Sequence, residues 1–343
     1  MKPKTFKAAI YRGKGSVDVA DLPYPECGDD DVIVKNLLAG CCGSDINAYA
    51  EGNGDAQMIW QDHEFGHEVV SEVIEVGKNV KDVKIGDIIF PNQGNALRDR
   101  KRMATVGAFS EYIRIIKYES NFSAIPIDKD IPLKAAVLFE PFVIGTRAAV
   151  NLKPGPGKTA IVFGAGIIGM SAAIMLKWYG CDKVMIVDFS DYRLEKAKKF
   201  DLIPCNSGKE DLKAKAIAEF GSTMCFGGEA CAANLFVDAI GIQPIIDQFQ
   251  TIAGRGATLG VVGVHHKPVT FNGTHLTYNT WNITGSGTSS IFDLAGDIFK
   301  MMKSGKYNLE ALVSHEYPVD KINEALAMGR NAKEAQKVII SFM

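Results

Sequence analysis

The sequence predicts an α/β protein that combines a β-rich domain with a doubly wound parallel sheet. Three observations predict this class. The 343 residues suffice for two domains, each with its own core. Short segments rich in β-branched residues, separated by Gly, Asp and Asn, fill roughly the first 120 residues. From about residue 155, continuous apolar strands alternate with helical segments, which indicates a parallel sheet covered on both faces.

The expected elements follow the chain in that order. In the first part, strands are expected at 32–35, 69–76 and 87–90, followed by a helix over 134–151 that Pro141 and Gly145 interrupt. In the second part, strands are expected at 161–163, 183–187, 235–239, 257–264 and 281–284, with helices at 170–180 and 192–200. The remainder returns to helix and strand, and KVIISF forms a closing strand.

Composition favours a globular protein that acts on small molecules. Hydrophobic residues make up 47% and charged residues 23%, and the net charge of −2 gives no reason to expect a nucleic-acid partner. The start MKPKTFKAAIYRG lacks the apolar core and cleavage site of a signal peptide, and no apolar run reaches the roughly 18 residues of a membrane span. The seven cysteines show no disulfide framework, so we expect a cytoplasmic protein that neither crosses nor binds a membrane.

The stretch GAGIIG, which begins at Gly164, matches the dinucleotide-binding motif G-x-G-x-x-G. It follows an apolar strand and opens a helix, and a second strand ends in Asp188. We expect Gly164 to make the tight turn, Gly166 to let the backbone approach a pyrophosphate, and Gly169 to let the helix pack on the strand. Asp188 would accept hydrogen bonds from the adenosine ribose and repel a 2′-phosphate, which favours NAD over NADP. Arg193 either stacks on adenine or is a solvated helix charge.

The stretch HEFGHE, from His63 to Glu68, matches the zinc-protease motif H-E-x-x-H in its first five letters. That motif requires both histidines on one helix. Gly66 would cost about 1 kcal/mol inside a helix, and the residues after Glu68 have strand character. The sequence therefore does not favour a protease.

A second interpretation uses His67 and Glu68 together with the stretch GCCGSD (40–45) and Glu140. One thiolate, one imidazole and one carboxylate make a three-ligand zinc set that leaves a fourth position open for water or substrate. An open zinc site beside a nicotinamide site fits alcohol dehydrogenation, because zinc acidifies the substrate hydroxyl and NAD accepts the hydride.

Taken in order along the chain, these segments resemble zinc-dependent medium-chain alcohol dehydrogenases, in particular the sorbitol, galactitol-phosphate and threonine dehydrogenase branch. The matching stretches are AGCCGSD, GHEVVSEVIEVG, IGD, GAFSEYI, FEPFVIG, VFGAGIIGM, VDFSDYRLEKA, ITGSG and the final KVII. The resemblance implies a GroES-like β-rich catalytic domain, residues 1–150 plus 290–343, with a Rossmann NAD-binding domain at 151–289 inserted into it.

The resemblance also implies roles for individual residues. Cys42 and His67 match the zinc cysteine and histidine, and Glu68 and Glu140 both match glutamates that relatives bring to zinc. Ser44 matches the hydroxyl that hydrogen-bonds the reacting alcohol. The implied metal ligands are Cys42, His67, Glu68 and Glu140, and the implied catalytic residues are Ser44, Glu68, Cys42 and His67.

The neighbours of these residues receive other expectations. Cys41 is expected to be a packed thiol, and Asp45 to orient a ligand imidazole. His63 and Glu64 are expected to be exposed loop or pocket-wall side chains. Asn47 stands where many relatives have a histidine that passes the proton to solvent, so the proton would leave through water or the cofactor ribose.

The implied cofactors are NAD and one catalytic zinc per subunit, without a structural zinc. The lobe PNQGNALRDRKRMATVG (91–107) has none of the four cysteines that hold a structural zinc in many relatives. Its RDRKR charges form either a solvated loop or a phosphate site. The chain is expected to form a homodimer or homotetramer. The implied cofactor-binding residues are Gly164, Gly166, Ile168, Gly169, Asp188, Arg193, Val262 and Val264.

The sequence leaves the substrate open. Residues that either border the substrate cleft of the family or pack in the core are Tyr49, Met58, Ile59, Trp60, Phe109 and Phe142. The branch resemblance implies a polyol or other secondary alcohol, whereas the apolar character of these positions permits a bulky hydroxysteroid. A zinc-free nicotinamide reductase and a non-catalytic NAD-binding protein are the alternatives from other classes.

Overall fold

The structure is a computed structural model that describes residues 2–54, 58–287 and 289–343. The chain forms two compact units. Unit 1 comprises Met1–Glu140 and Ala295–Met343, and unit 2 comprises Pro141–Leu294. Unit 2 is therefore inserted into unit 1 in the order of the sequence. None of the described helices is both long enough and apolar enough to cross a membrane.

The elements are introduced here in chain order. The first are β1 Thr5–Gly13, β2 Ser16–Pro23, β3 Val32–Gly40, α1 Gly43–Glu51, β4 Glu68–Val76, β5 Ile88–Pro91, β6 Tyr112–Ile115, β7 Ala124–Ile127 and α2 Leu133–Ala136. Next come α3 Phe139–Asn151, β8 Thr159–Phe163, α4 Ile167–Trp178, β9 Lys183–Asp188, α5 Asp191–Lys198, β10 Ile203–Asn206, α6 Leu212–Phe220, β11 Ser222–Cys225, β12 Gly228–Cys231, β13 Leu235–Asp238, α7 Gln243–Ile252, β14 Thr258–Val261, α8 Gly273–Asn279 and β15 Asn282–Gly285. The last are α9 Ile291–Lys303, β16 Val313–Pro318, α10 Ile322–Gly329 and β17 Lys337–Ser341.

The main sheet of unit 1 has the strand order β16–β17–β3–β4–β5–β7, and β6 also pairs with β3. Its core contains the fully buried side chains of Val34, Val69 and Val73. Strand β3 lies between β17 and β4, and its last residue, Gly40, is opposite Glu68, the first residue of β4. This register brings the ends of three strands from distant parts of the sequence to one place.

The main sheet of unit 2 is parallel, with the order β10–β9–β8–β13–β14–β15. The order reverses between β8 and β13, as in doubly wound nucleotide-binding sheets, whose ligands bind beyond the carboxyl ends of the strands at that point. In this structure those ends are Phe163 and Asp238. The doubly wound α/β class predicted from the alternating pattern is confirmed.

Helix α3 differs from the sequence-based expectation. It runs unbroken from Phe139 through Pro141 and Gly145, and the interruption falls at residues 137–138. Pro141 is tolerated because it lies in the first turn, where the backbone N–H has no intrahelical partner. Gly145 allows a close approach to α4, since a Cβ there would stand 2.6 Å from the backbone nitrogen of Ala172. The expected interruption by these two residues is wrong.

Gly145→Ala is expected to destabilise the protein although alanine is the better helix former. Replacing a helical glycine normally stabilises by about 1 kcal/mol, but forcing a methyl group against α4 costs roughly 1–3 kcal/mol. Thermal unfolding should show a lower midpoint. Gly296→Ala in α9 is the matched control, because a Cβ there meets nothing within 4 Å. Equal midpoints for the two variants would contradict the close packing of α3 on α4.

Candidate metal centre and nucleotide site

Cys42 lies between β3 and α1, a helix that the sequence does not predict. It is the N-cap of α1, and its backbone N–H donates to Oδ2 of Asp45 at 3.0 Å. Asp45 is fully buried, and burial raises its pKa to about 6, although His67 and the hydrogen bond from Cys42 act to lower it. Because the N-terminus of a helix favours negative charge, α1 is oriented to stabilise such charge at Cys42.

His67 lies in a loop that leads directly into β4. Gly66 has a φ of +90°, in the left-handed region that glycine tolerates. A side chain there would also stand 2.7 Å from the ring of Phe109. The histidines of HEFGHE are therefore not on one helix, and the geometry excludes the zinc-protease arrangement.

The ligand atoms of Cys42, His67 and Glu68 lie within 4.8 Å of one another. Nδ1 of His67 is 4.0 Å from Oδ1 of Asp45. That oxygen and Oγ of Ser44 are buried, and neither makes a hydrogen bond within the described part of the chain. A thiol, an imidazole and a carboxylate that converge beside such oxygens form a donor set that suits zinc.

Lys337, the first residue of β17, is buried beside Glu68. Its Nζ forms an ion pair with Oε2 of Glu68 and donates to the carbonyl oxygen of Cys41 at 2.9 Å. Burial lowers the pKa of Lys337, but Glu68 and Cys42 raise it more strongly, so the net pKa is above 10.5 and the side chain is a cation. Gly40 leaves room for this pair, since a Cβ there would stand 2.8 Å from Cε of Lys337.

The sequence does not predict Gly40 or Lys337 as part of the site. Lys337 is separated from Glu68 by most of the chain, and a lysine before an apolar strand has no motif that distinguishes it from a solvated one. The pairing of β17 with β3 brings it to the site. Cys41 is a buried thiol, as expected, and burial raises its pKa far above the usual range.

Glu140 lies in the first turn of α3 and is 7% exposed. Burial lowers the pKa of His67, but Cys42, Asp45 and Glu140 outweigh it and hold the pKa well above 6.5. Glu140 is not a member of the group whose ligand atoms lie within 4.8 Å of one another. Asp45, Glu68 and Glu140 place negative charge around the imidazole of His67, and a divalent cation would balance that charge.

The first two residues of HEFGHE make structural contacts. The ring nitrogens of His63 lie 2.7 Å from the carbonyl oxygen of Gln61 and 3.1 Å from that of Arg100. Glu64 is 1% exposed and forms an ion pair with Arg102. The expectation of an exposed Glu64 is therefore wrong. In the RDRKR stretch Arg100 and Lys101 are exposed, as expected of a solvated loop, whereas Arg102 is partly buried and neutralises Glu64, which no local pattern reveals.

The turn from Gly164 to Gly169 connects β8 to α4. Gly164 has a φ of +98°, and a Cβ there would stand 2.8 Å from Cγ1 of Ile240. A Cβ at Gly169 would stand 2.9 Å from the carbonyl carbon of Gly164. Gly166 is the N-cap of α4 and offers no capping side chain, and Ile168 in the first turn is partly exposed. The close approaches leave backbone, rather than side chains, at the helix N-terminus.

Asp188 ends β9 and braces this turn. Its Oδ2 accepts a hydrogen bond from the backbone nitrogen of Ala165 at 2.7 Å, and its Oδ1 accepts one from that of Ser190 at 2.8 Å. Nη1 of Arg193 lies 3.8 Å from the position that a Cβ of Gly166 would take. Burial lowers the pKa of Arg193, and Asp188 acts to raise it. The structure thus places both charged side chains beside the glycine turn.

Asp238, which the sequence does not single out, ends β13 at the neighbouring position of the sheet. It is fully buried, its Oδ1 accepts from the backbone nitrogen of Ile240 at 2.9 Å, and its Oδ2 lies 2.8 Å from Nε2 of His265. Its carbonyl oxygen accepts from the backbone nitrogen of Val262 at 2.9 Å. Val264 is 69% exposed. Asp238 therefore ties together the two loops that follow β13 and β14.

The residues expected near the substrate have different environments. Ile59, Phe109 and Phe142 are buried at 1% exposure or less and pack in the interior. Met58 is 65% exposed. Trp60 packs edge-on against His63, and Tyr49 packs against the core of unit 1.

Comparison with known proteins relates both units to dehydrogenases. Residues 28–126 match the family described as alcohol dehydrogenase GroES-like domain, and residues 168–304 match the family described as zinc-binding dehydrogenase. Sorbitol dehydrogenase from Bacillus subtilis is 25% identical over 357 aligned positions, which cover 98% of each chain. The structure of 2R,3R-butanediol dehydrogenase from Bacillus subtilis is similar with a TM-score of 0.83 at 20% identity, covering 98% of this chain and 99% of that one. The structure of a short chain alcohol dehydrogenase from Escherichia coli in complex with NADH is similar with a TM-score of 0.82 at 23% identity, and the alignment covers 99% of this chain and 100% of that one.

Lys337→Met is expected to destabilise the protein by roughly 3–5 kcal/mol, because it leaves Glu68 as a buried charge without its cation. Chemical denaturation in the presence of a chelator measures this loss without a contribution from metal. The double variant Lys337→Met/Glu68→Met should recover much of it, since apolar replacement of a buried ion pair is often close to neutral. Wild-type stability in the single variant would show that the pair is not needed.

Proposed function

This chain belongs to the zinc-dependent medium-chain alcohol dehydrogenase family and is an oxidoreductase, and we propose that it reversibly oxidises a secondary alcohol of the polyol type to the ketone, with hydride transfer to NAD. The observation that carries the proposal is the convergence of Cys42, His67 and Glu68 in a chain that also contains a dinucleotide turn braced by Asp188. We assign catalysis to residues 1–150 plus 290–343 and cofactor binding to 151–289.

In this proposal Cys42, His67 and either Glu68 or Glu140 hold one zinc per subunit. The bound zinc would act as a Lewis acid that polarises the substrate hydroxyl. Glu68 is supported by its ligand oxygen, which lies within 4.8 Å of the ligand atoms of Cys42 and His67. Glu140 is supported by its charge, which raises the pKa of His67. The lobe at 91–107 contains no cysteine, which supports a stoichiometry without a structural zinc.

Ser44 is proposed to hold the reacting hydroxyl. It lies in the first turn of α1, two residues after Cys42, and its buried Oγ makes no hydrogen bond to the described protein. An oxygen in that position can accept a hydrogen bond from the alcohol and receive its proton. Asn47 is exposed and does not titrate, so the proton would continue through water or the cofactor ribose. Asp45, close to both Cys42 and His67, would keep the imidazole oriented.

The preference for NAD is argued from Asp188. Both of its carboxylate oxygens accept backbone hydrogen bonds, which fixes a negative charge where the adenosine ribose binds in this type of turn. A 2′-phosphate placed there would be repelled. Gly166, Ile168, Arg193, Val262 and Val264 are proposed to complete the cofactor site.

The polyol class is favoured over a hydroxysteroid by two observations. The sorbitol and butanediol dehydrogenases to which this chain is similar have names that refer to polyhydroxy alcohols. Ile59, Phe109 and Phe142 are packed in the interior and present little apolar surface to a bulky substrate. The converging zinc donors argue against a zinc-free reductase and a non-catalytic NAD-binding protein.

We further propose a cytoplasmic homodimer or homotetramer. All seven cysteines are free thiols, which suits a reducing compartment.

A panel of polyols, sugar-alcohol phosphates, simple secondary alcohols and hydroxysteroids, followed by NADH absorbance, tests the substrate class. We expect the highest kcat/KM with a polyol and a zinc content near one per subunit. Highest activity with a hydroxysteroid would instead support the alternative substrate, and a zinc content near two would contradict the single site.

Cys42→Ser and His67→Ala test the metal site in the same assay. Each should lose zinc, and turnover should fall by more than the roughly 100-fold that removal of a supporting residue causes. NAD binding, measured by calorimetry, should persist because the nucleotide turn is unchanged. Full activity in either variant would refute the assignment.

Asp188→Gly tests the cofactor preference. Removing the carboxylate should weaken NAD binding and lower the NAD-to-NADP ratio of kcat/KM by roughly tenfold or more, because short-range repulsion between like charges is on the order of 1–4 kcal/mol. Asp191→Asn is the control, since this nearby carboxylate is exposed and pairs with Lys209. If the ratio is unchanged in Asp188→Gly, the ribose role is wrong.

A further inference from the structure

We propose that the ion pair between the buried Glu64 and the partly buried Arg102 positions His67. The ion pair holds the segment that ends at His67 against the segment 102–109. It thereby fixes the orientation of the His67 imidazole relative to the metal site. The proposal rests on the proposed function in one respect, that His67 is a zinc ligand.

The pair has the geometry of a fixed contact rather than a surface ion pair. Glu64 is 1% exposed, and both of its carboxylate oxygens face the guanidinium of Arg102, with Nη2 to Oε1 at 3.0 Å. Oγ of Ser110 donates to the same Oε1 at 2.5 Å. Cζ of Arg102 lies 5.1 Å from the ring centroid of Phe6. A two-pronged contact with a buried carboxylate sets the angle as well as the distance between the two segments.

Backbone hydrogen bonds extend this contact toward His67. Each residue from Glu64 to Gly66 is hydrogen-bonded to the segment 102–109. The backbone nitrogen of Glu64 donates to the carbonyl oxygen of Arg102 (3.0 Å). The carbonyl oxygens of residues 64–66 accept from the following donors: Glu64 from the nitrogen of Ala104 (3.1 Å), Phe65 from that of Phe109 (3.1 Å), and Gly66 from that of Ala108 (3.1 Å) and from Oγ1 of Thr105 (2.8 Å).

The backbone has little conformational freedom between Glu64 and the candidate ligand His67. Gly66 follows with a φ of +90° and packs against Phe109, and His67 comes next. If Arg102 is removed, the buried carboxylate of Glu64 loses its counter-charge and must rehydrate or move. Such a movement is transmitted through Phe65 and Gly66 to the imidazole, because their backbone groups are bonded to the same segment.

The position of Arg102 in the sequence indicates that the pair has a role beyond general stabilisation of the fold. It lies within the lobe at 91–107, which has no cysteine to bind a structural metal. Arg102 thus connects this lobe to the loop that contains Glu64 and ends at His67, directly before β4. A second ion pair in unit 1 joins a buried aspartate, Asp31, to a partly exposed arginine, Arg114. It lies directly before β3 and in β6, away from the segment that ends at His67, and provides the comparison.

The test measures zinc binding in Arg102→Met, Arg102→Lys and Arg114→Met. Zinc affinity is obtained by competition with a chelator, and the geometry of the site from the visible spectrum of the cobalt-substituted protein. We expect zinc affinity to fall roughly 10–100-fold in Arg102→Met, with shifted cobalt bands. Arg102→Lys keeps the charge but loses the two-pronged contact, so an intermediate loss is expected. Arg114→Met should bind zinc and cobalt like the wild type even where its thermal stability falls.

The outcomes separate this proposal from the proposed function. Wild-type zinc affinity and cobalt spectra in both Arg102 variants would overturn the positioning role while leaving the zinc site intact. An equal loss of affinity in Arg114→Met would also overturn it, since the effect would then be general destabilisation. Should Arg102→Met not fold, Arg102→Lys decides the question. A wild-type protein that binds no zinc would refute the proposed function itself.

Discussion

The candidate metal centre depends on how buried charge is compensated. Asp45, Glu68 and Glu140 are all buried around His67, and water cannot solvate them there. Lys337 neutralises Glu68 from within the protein. Cys42, together with Asp45 and Glu140, outweighs the effect of burial and holds the pKa of His67 well above its usual range. A divalent cation would relieve the same imbalance, so the electrostatics and the donor types point to one kind of ligand.

Close backbone approaches make this arrangement sterically possible. Gly40 leaves space for the Glu68–Lys337 pair, and Gly66 allows the chain to turn against Phe109 immediately before His67. In unit 2, Gly164 has the same function in the nucleotide turn. A Cβ would collide with Lys337 at Gly40, with Phe109 at Gly66 and with Ile240 at Gly164, so glycine is the residue that fits at each position.

The two sites differ in how far the sequence predicts them. The nucleotide site is built from a strand, a turn and a helix that are consecutive in the chain, and Asp188 stands at the end of the next strand. Its pattern is local, so the residues that form it can be identified before folding. The metal centre combines residues 42, 67–68, 140 and 337. Residue types and resemblance indicate Cys42 and His67 as zinc ligands. The ion-pair partners of Glu64 and Glu68, which are Arg102 and Lys337, cannot be predicted from any periodic pattern. A buried lysine and a solvated lysine look the same in a sequence.

The sequence by itself determined the alternation of apolar strands and helices, the glycine turn with its acidic partner, and the residue types suited to zinc. These features depend on local backbone preferences and on periodic burial, which are properties of short segments. Only the tertiary structure decided that α3 continues through Pro141 and Gly145, that Glu64 pairs with Arg102, and that Lys337 neutralises Glu68. Each of those outcomes depends on which distant strand or helix lies alongside, because the energy of a buried charge or a close contact is set by its neighbours in space.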